Sequence, residues 1–496
     1  MIVAIVSLFV ILWWIFKSDL RKVQLAWNFP GPKALPIFGN GLELVNKTTL
    51  EFVQIIHGYI KSHGKFLRIW IGNELVTIFM EPKDVQQILT DVKLITKANE
   101  YKYLEPWLKT GLLTSTNQKW MLRRKALTPA FHFQILDLFI EVFDKQSSVL
   151  IEKLKVHDGK GPFNAFPVVA LAALDVICET AMGVSLNTQN GSESQYVKNV
   201  NELADIVHRR SYDIIERSET LFKFTKIYKR QQHLVSELHK FTDSVISSRR
   251  DELKNKKISN SLSNDDESFG KKKKALLDLL LETKIDGKYL TDDDIREEID
   301  TFMFEGHDTT ASALAFTLYN IAKHEDIQGK CYEEVQNILG SDGRFDMKTL
   351  NEMTYLDLVC KESLRLYPSV PIFGRTVPEE MKVCGRLLPK NTSILIVPYF
   401  MARDSTIWDK PEEFIPERFA GAKDSDDSNI FGYVPFSGGY RNCIGQKFAM
   451  YEIKTTISKI ILNYKIKLEK NFKPQDSLEL VIKSKNGIMI QIESRN

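Results

Sequence analysis

The stretch Phe436-Ser437-Gly438-Gly439-Tyr440-Arg441-Asn442-Cys443-Ile444-Gly445 decides how this chain is read. A single cysteine stands among glycines and an arginine, directly before an apolar-periodic run, Gln446 to Leu462, that predicts a helix. A sulfur placed there lies near free backbone amides and the positive end of the helix dipole, and both favour a thiolate. An isolated cysteine is more often a buried structural thiol. The loop around Cys443 argues against that reading.

The rest of the chain narrows the class. It has 496 residues, 43% hydrophobic and 26% charged, the balance of a folded globular protein. The cysteines, Cys178, Cys331, Cys360, Cys384 and Cys443, are scattered, odd in number and without CxxC spacing. That excludes a disulfide framework and a structural zinc site, and fits a reducing compartment. A net charge of +3 gives no case for nucleic acid.

Residues Ile2 to Phe16 are apolar apart from Ser7, and Lys17, Arg21 and Lys22 follow. At ~1.5 Å per residue such a helix spans roughly 24 Å, short for a ~30 Å bilayer core but suited to the thinner endoplasmic reticulum. Trp13, Trp14 and Trp27 are expected interfacial anchors. A charged n-region and a small-x-small cleavage site are missing, so a retained anchor is preferred to a cleaved signal. Positive charge on the carboxyl-terminal side places the body in the cytosol. Asn28-Phe29-Pro30-Gly31-Pro32 reads as a stiff hinge. The expected division is 1–17 anchor, 18–32 basic and proline-rich hinge, 33–496 catalytic domain.

Lys65 to Met80 holds two β-rich runs around Gly72-Asn73, a hairpin signal. From Val85 to about Gly340 helices dominate, including Trp120 to Thr128, Leu171 to Met182 and Leu234 to Leu253. Thr291 to His324 is a long helix with Asp292, Asp293 and Asp294 at its start. Lys254 to Lys274 is polar and charged and reads as a solvated loop. Short strands are expected at Ser393 to Val397 and at Leu478 to Ile482, the latter pairing with Ile488 to Ile492 across Lys485-Asn486-Gly487. The class is mainly α with small β-sheets.

The loop Phe436 to Gly445 resembles the haem-binding loop of the cytochromes P-450, a match whose chance occurrence is on the order of 10⁻⁴ from average residue usage. Gly438 and Tyr440 stand where alanine and proline are common. The resemblance makes Cys443 the iron ligand, has Phe436, Gly439 and Gly445 form the loop against the porphyrin, and pairs Arg441 with a haem propionate. The thiolate then pushes electron density to iron and favours O–O cleavage; this family is the standing example of that effect. Further matches lie far from the cysteine. Glu362-Ser-Leu-Arg365 and Pro416-Glu417-Arg418-Phe419 match the family's E-x-x-R and its arginine partner. Trp120 and Arg124 match W-x-x-x-R, whose side chains donate to propionates, and Arg375 resembles a further propionate partner. Each alone is more often a surface cation or a core tryptophan.

Glu305-Gly306-His307-Asp308-Thr309-Thr310 matches the family's oxygen-binding segment. The resemblance gives Asp308 and Thr309 the proton relay and has Gly306 open space above iron. Glu305 stands where most members carry a small residue and where family 4 carries glutamate. So do Pro106-Trp107-Leu108, Arg123 to Phe133 and Cys178 to Gly183 resemble that family. Its glutamate can form an ester to a haem methyl, which makes Glu305 the expected attachment point, with an unesterified carboxyl as the alternative.

The resemblance implies a single-domain haem b monooxygenase behind its anchor, in the endoplasmic reticulum membrane. It would insert one oxygen atom from O₂ into a C–H bond of a small lipophilic substrate, by terminal hydroxylation of fatty acids or related long chains. Electrons would come from NADPH through a separate flavoprotein reductase, with cytochrome b5 and membrane lipid as further partners, since no flavin or nicotinamide fingerprint is present. Arg123, Arg124, Lys125 and Lys447 form the expected basic docking patch. Leu104, Trp107, Leu112, Phe304, Val370, Ile372 and Ile488 are expected pocket residues, with core packing as the alternative for each. A xenobiotic-oxidising member of the same family is the nearest alternative function. A haem-thiolate isomerase or dehydratase, or a non-catalytic haem sensor, stays open, though the intact Asp308-Thr309 pair speaks against the first.

Overall fold

The computed structural model describes residues 20–191, 194–262, 275–285, 287–340, 343–421 and 427–495. The expected anchor, 1–17, lies outside them. Helices dominate, and small sheets sit at the two ends of the sequence.

The organising element is the Asp292–Lys323 helix. Its start is fixed by a capping box: Thr291 Oγ1 accepts from Asp294 N at 3.1 Å and Thr291 N donates to the Asp294 carboxylate at 3.0 Å. Three aspartates in the first turn face the positive helix end. From Ala311 to Ala322 every residue is buried, so this helix runs through the core. The Ala165–Ile177 helix packs along it. Among the described residues Ala165–Met182 is the stretch long and apolar enough to cross a membrane, but 72% of it is buried against the body. It is a core helix. The Gln446–Asn463 helix that follows the thiol loop lies between the long helix and Phe133–Leu154, with Phe448 edge-on to Phe143 at 4.9 Å.

The hairpin at Gly72-Asn73 joins Phe66–Ile71 to Glu74–Phe79 in antiparallel register. Ser393–Ile396 adds in parallel beside the second strand, and Phe373–Thr376 closes the four-stranded sheet. The carboxyl-terminal pairing differs from the expectation. Asp476–Leu478 folds back on Ile482–Ser484, while Met489–Ser494 pairs with Tyr464–Leu468 and with Phe163–Asn164. The turn at Lys485-Asn486-Gly487 exists, but it joins two different sheets. Asn164 decides this. Its Oδ1 accepts from Ile488 N at 2.9 Å, and Gly487, at φ +73°, lies so close that a Cβ would meet the Asn164 side chain at 2.8 Å.

Two further expectations change. The stretch read as a hinge carries the Leu20–Ala26 helix and is docked along the first strand: Arg68 Nε donates to Ala26 O at 3.1 Å, Arg68 N to Pro30 O at 2.7 Å, and Phe29 packs edge-on to Phe66. Proline and glycine end the helix, but backbone bonding to the sheet fixes the Phe29-Pro30 segment in place. The stretch read as a polar loop from Lys254 is helical as far as Leu262, and residues 263–274 lie outside the described residues. The lysines and leucines of the Lys226–Leu262 helix are good helix formers, and charge alone does not break a helix.

Candidate active site

The thiol loop is shaped by backbone. Cys443 N donates to Phe436 O at 2.9 Å, closing the loop on itself. Gly439 takes φ +62°, and a Cβ there would lie 1.9 Å from Leu89 O, so only glycine seats the loop on the Pro82–Thr90 helix. The need for glycine thus comes from that helix rather than from the cavity. At Gly445 a Cβ would meet nothing closer than Phe131 at 3.8 Å.

Cys443 opens onto an interior cavity walled by Trp120, Phe436, Ile444, Ala313, Val370 and Phe373. Burial pushes its thiol up to about 11, with the Glu305 carboxyl adding to the shift; the Gly445 N–H, Arg124 and Lys97 pull the other way. A bound cationic metal reverses that balance. Among the described residues no cluster of three or more metal-ligating side chains occurs, so a metal here would rest on one sulfur from the protein.

One end of the cavity is cationic. Lys97, Arg124 and Arg441 line it and Arg375 lies beside it, its Nη2 3.5 Å from Ser437 Oγ. Arg124 reaches Asn442 O and Asn442 Oδ1, both at 2.8 Å. Arg441 donates to Ile95 O at 2.9 Å and Leu112 O at 3.1 Å, and its guanidinium stacks 4.7 Å from the Trp120 ring. Burial and the like charge of Arg375 push Arg441 down to about 9, and burial also lowers Lys97. The excess of buried positive charge calls for an anion. Lys97 and Tyr101 were not expected here. Their neighbourhood, Thr96-Lys97-Ala98, carries no pattern that marks a site.

The long helix supplies the opposite wall through Glu305, Thr309, Thr310 and Ala313. Thr309 Oγ1 donates to Glu305 O at 2.5 Å. Burial raises the Glu305 carboxyl, against the attraction of Lys97 and Arg441. Asp308 is one residue off this face. It is buried and turned to Lys483, Nζ to Oδ2 3.1 Å. Gly306 also faces elsewhere: a Cβ would strike the Ile177 side chain at 2.6 Å, so this glycine serves the close crossing of two helices. Trp120, Arg124, Glu305, Thr309, Phe436, Arg441 and Cys443 thus share one cavity, Arg375 flanks it, and Asp308 and Gly439 point away.

A second, largely apolar cavity shares a wall with the first. Tyr101, Leu113, Glu305, Thr309, Val370 and Phe373 belong to both. Leu104, Phe304, Val370 and Ile372 line it as expected, while Leu112 lines the thiol cavity. Trp107 packs behind Phe304, centroids 4.7 Å apart. Ile488 lies elsewhere, its carbonyl accepting from Ala165 N in the terminal sheet.

Beneath the loop, Glu362 takes Arg365 Nε at 2.7 Å and Arg418 Nε at 3.0 Å, all nearly dry. Arg365 also reaches Pro411 O at 2.8 Å and Glu413 O at 3.0 Å, tying the irregular segment before the loop to the core. The basic patch loses two members: Arg123 is buried with Asp294, Glu297 and Glu298, and Arg124 lines the thiol cavity, leaving Lys125 and Lys447 exposed.

Comparison with known proteins agrees with this geometry. The family model described as Cytochrome P450 matches residues 29–492. Cytochrome P450 4d1 of Drosophila melanogaster is 41% identical over 485 residues, 96% of this chain and 95% of the relative. Cytochrome P450 4c3 of the same species is 41% identical over 492 residues, covering 97% and 92%. Cytochrome P450 4d10 of Drosophila mettleri is 39% identical over 501 residues, covering 99% and 97%. The chain belongs to the cytochrome P450 family, in its family 4 branch, and is a haem-thiolate monooxygenase supplied with electrons by a redox partner.

Proposed function

We propose that this enzyme hydroxylates the terminal carbon of a fatty acid or related long chain, with Cys443 as the residue that would hold the iron of haem b. The carrying observation is the apolar cavity that meets the thiol cavity at Glu305, Thr309, Val370 and Phe373. A chain lying in it presents one end to that shared wall. Terminal C–H bonds are stronger than internal ones, so positioning must decide the site of attack.

The residues present fit the haem. Its flat apolar body suits Phe436, Ile444, Ala313, Val370 and Phe373, and its two carboxylates suit the cations Lys97, Arg124, Arg375 and Arg441. When bound, the haem supplies dioxygen activation and oxygen insertion into C–H. The Thr309 hydroxyl holds a proton at the shared wall. Asp308 refills it from the Lys483 side by swinging one residue across the helix. Glu305 would hold the haem covalently, as an ester to one of its methyl carbons. A fixed haem holds the reacting geometry against the end of the chain.

Electrons come from NADPH through a separate flavoprotein reductase, and cytochrome b5 is a second donor. Lys125 and Lys447, exposed on the thiol side, are the docking cations. Residues 1–17 anchor the enzyme in the endoplasmic reticulum membrane with its body in the cytosol. Exposed Leu20, Trp27, Ile37, Phe38, Ile215 and Phe224 give an apolar surface of the kind that meets lipid, and Ile214 against Gly41 joins two of its segments.

Reconstitution with reductase and NADPH, followed by product analysis on long-chain substrates, tests the reading. Terminal alcohols are expected; attack at internal carbons alone contradicts it. Denaturing chromatography after turnover tests the ester: haem should travel with the polypeptide, and should separate from it in Glu305→Ala.

A further inference from the structure

The apolar cavity holds a buried polar side chain that nothing in the fold satisfies. His208, on the Gln195–Tyr212 helix, lines this cavity and is 5% exposed. Its ring stands edge-on to Phe52 at 5.5 Å and to Tyr212 at 5.1 Å. Nε2 is buried with no hydrogen-bond partner among the described residues. Buried polar groups are normally paired, and one left over marks a missing partner. Burial pushes the imidazole down to about 4, so near neutral pH it is uncharged and offers one N–H donor and one acceptor.

The charges around His208 define what that partner can be. Among the described residues lining this cavity there is no lysine or arginine, but there are carboxylates at Glu100 and Glu479, besides Glu305 on the wall shared with the thiol cavity. Glu100 accepts from Arg217 at 2.8 Å, and Glu479 from Lys485 at 2.6 Å. The cations that act on His208, Lys485 and Arg209, are both engaged: Lys485 also lies 3.8 Å from Asp205, and Arg209 lies 3.6 Å from both Asp205 and Glu216. His208 and Glu479 are not part of the wall shared with the thiol cavity, so they are placed to meet the far end of a chain whose near end is oxidised. A carboxylate there would be stripped of water beside other carboxylates with no free cation. A hydroxyl, aldehyde or ester oxygen would complete the imidazole.

We propose that His208 binds the uncharged oxygen head of a long-chain alcohol, aldehyde or ester, and that this cavity discriminates against the free acid. This rests on the terminal-hydroxylation reading above.

The test uses the full-length enzyme, reconstituted with reductase and NADPH, on lauryl alcohol, methyl laurate, laurate and dodecane, scoring terminally hydroxylated product alone. The alcohol and ester should exceed laurate in kcat/KM by about tenfold, the worth of one charge-sensitive hydrogen-bonded contact. His208→Leu should lower the ratio of alcohol to dodecane at least about fivefold. His208→Gln, which keeps a donor and an acceptor, should restore it. Each ratio is internal to one variant, so a general loss of folded enzyme does not mimic the effect. Laurate equal to or better than the alcohol, or a ratio unmoved by His208→Leu, overturns the assignment and leaves terminal hydroxylation standing. No terminal product from any of the four overturns the terminal-hydroxylation reading and this proposal with it.

Discussion

Lys483 Nζ lies 3.1 Å from Asp308 Oδ2, and this pair turns the acid of the helix away from the cavity that Thr309 lines. An acid held there serves the cavity only by exchanging partners. Asp308→Asn keeps the shape and cannot carry the proton. It is expected to lower turnover about 10²-fold or more, with a larger solvent isotope effect and little change in substrate-binding spectra. Turnover within a few-fold of the parent would remove Asp308 from the relay.

Glu362 receives both Arg365 and Arg418 with almost no exposure. Glu362→Ala leaves two guanidinium groups in the interior without their carboxylate. The expected loss is about 3–5 kcal/mol of stability. Thermal unfolding of the holoprotein, with haem release followed in parallel, measures it.

The loop glycines should respond differently. Gly439→Ala forces a Cβ onto Leu89 O in a left-handed backbone, whereas Gly445→Ala makes only an ordinary contact with Phe131. The first is expected to cost more than about 1 kcal/mol and to reduce haem content, the second to cost much less. Equal haem content and equal melting temperatures in the two variants would contradict the packing described.

Two carboxyls on the long helix predict a pH dependence of stability. Burial raises Glu298 to about 7 and Asp300 to about 8. Asp300 Oδ1 accepts from Thr242 at 2.6 Å, and its other oxygen faces His239 at 3.5 Å. An unfolded aspartate titrates near 3.9. Between roughly pH 4 and 8 the folded state therefore holds a proton that the unfolded state has lost, so stability falls as pH rises through this window. Asp300→Asn should flatten the slope in denaturant titrations from pH 5.5 to 8.5. Parallel curves for the two proteins would refute the assignment.

Local rules carried much of this in the sequence. Thr291 and Asp294 announced a helix start and Gly72-Asn73 a hairpin, while Glu362, Arg365 and Arg418 were linked only by the family resemblance. Relations set by partners distant in the chain were not legible. Leu478 and Ile482 have the pattern of a strand, yet Asn164 on the far side of the sequence decides which sheet follows Gly487. Gly306 and Gly439 signal close approach, but only packing reveals that the approach is to Ile177 and Leu89. Arg123 looks like a surface cation until three carboxylates of the long helix surround it. Lys97 and His208 carry no motif, and their importance arises from the cavities they line.

The central claim is that Cys443 ligates the haem iron, and a carbon monoxide difference spectrum of the reduced protein tests it most directly. The parent enzyme should give the red-shifted Soret band of thiolate-ligated haem. Cys443→Ser should lose that band together with NADPH-driven oxygen insertion. A Cys443→Ser protein that keeps both the band and the activity would contradict the account.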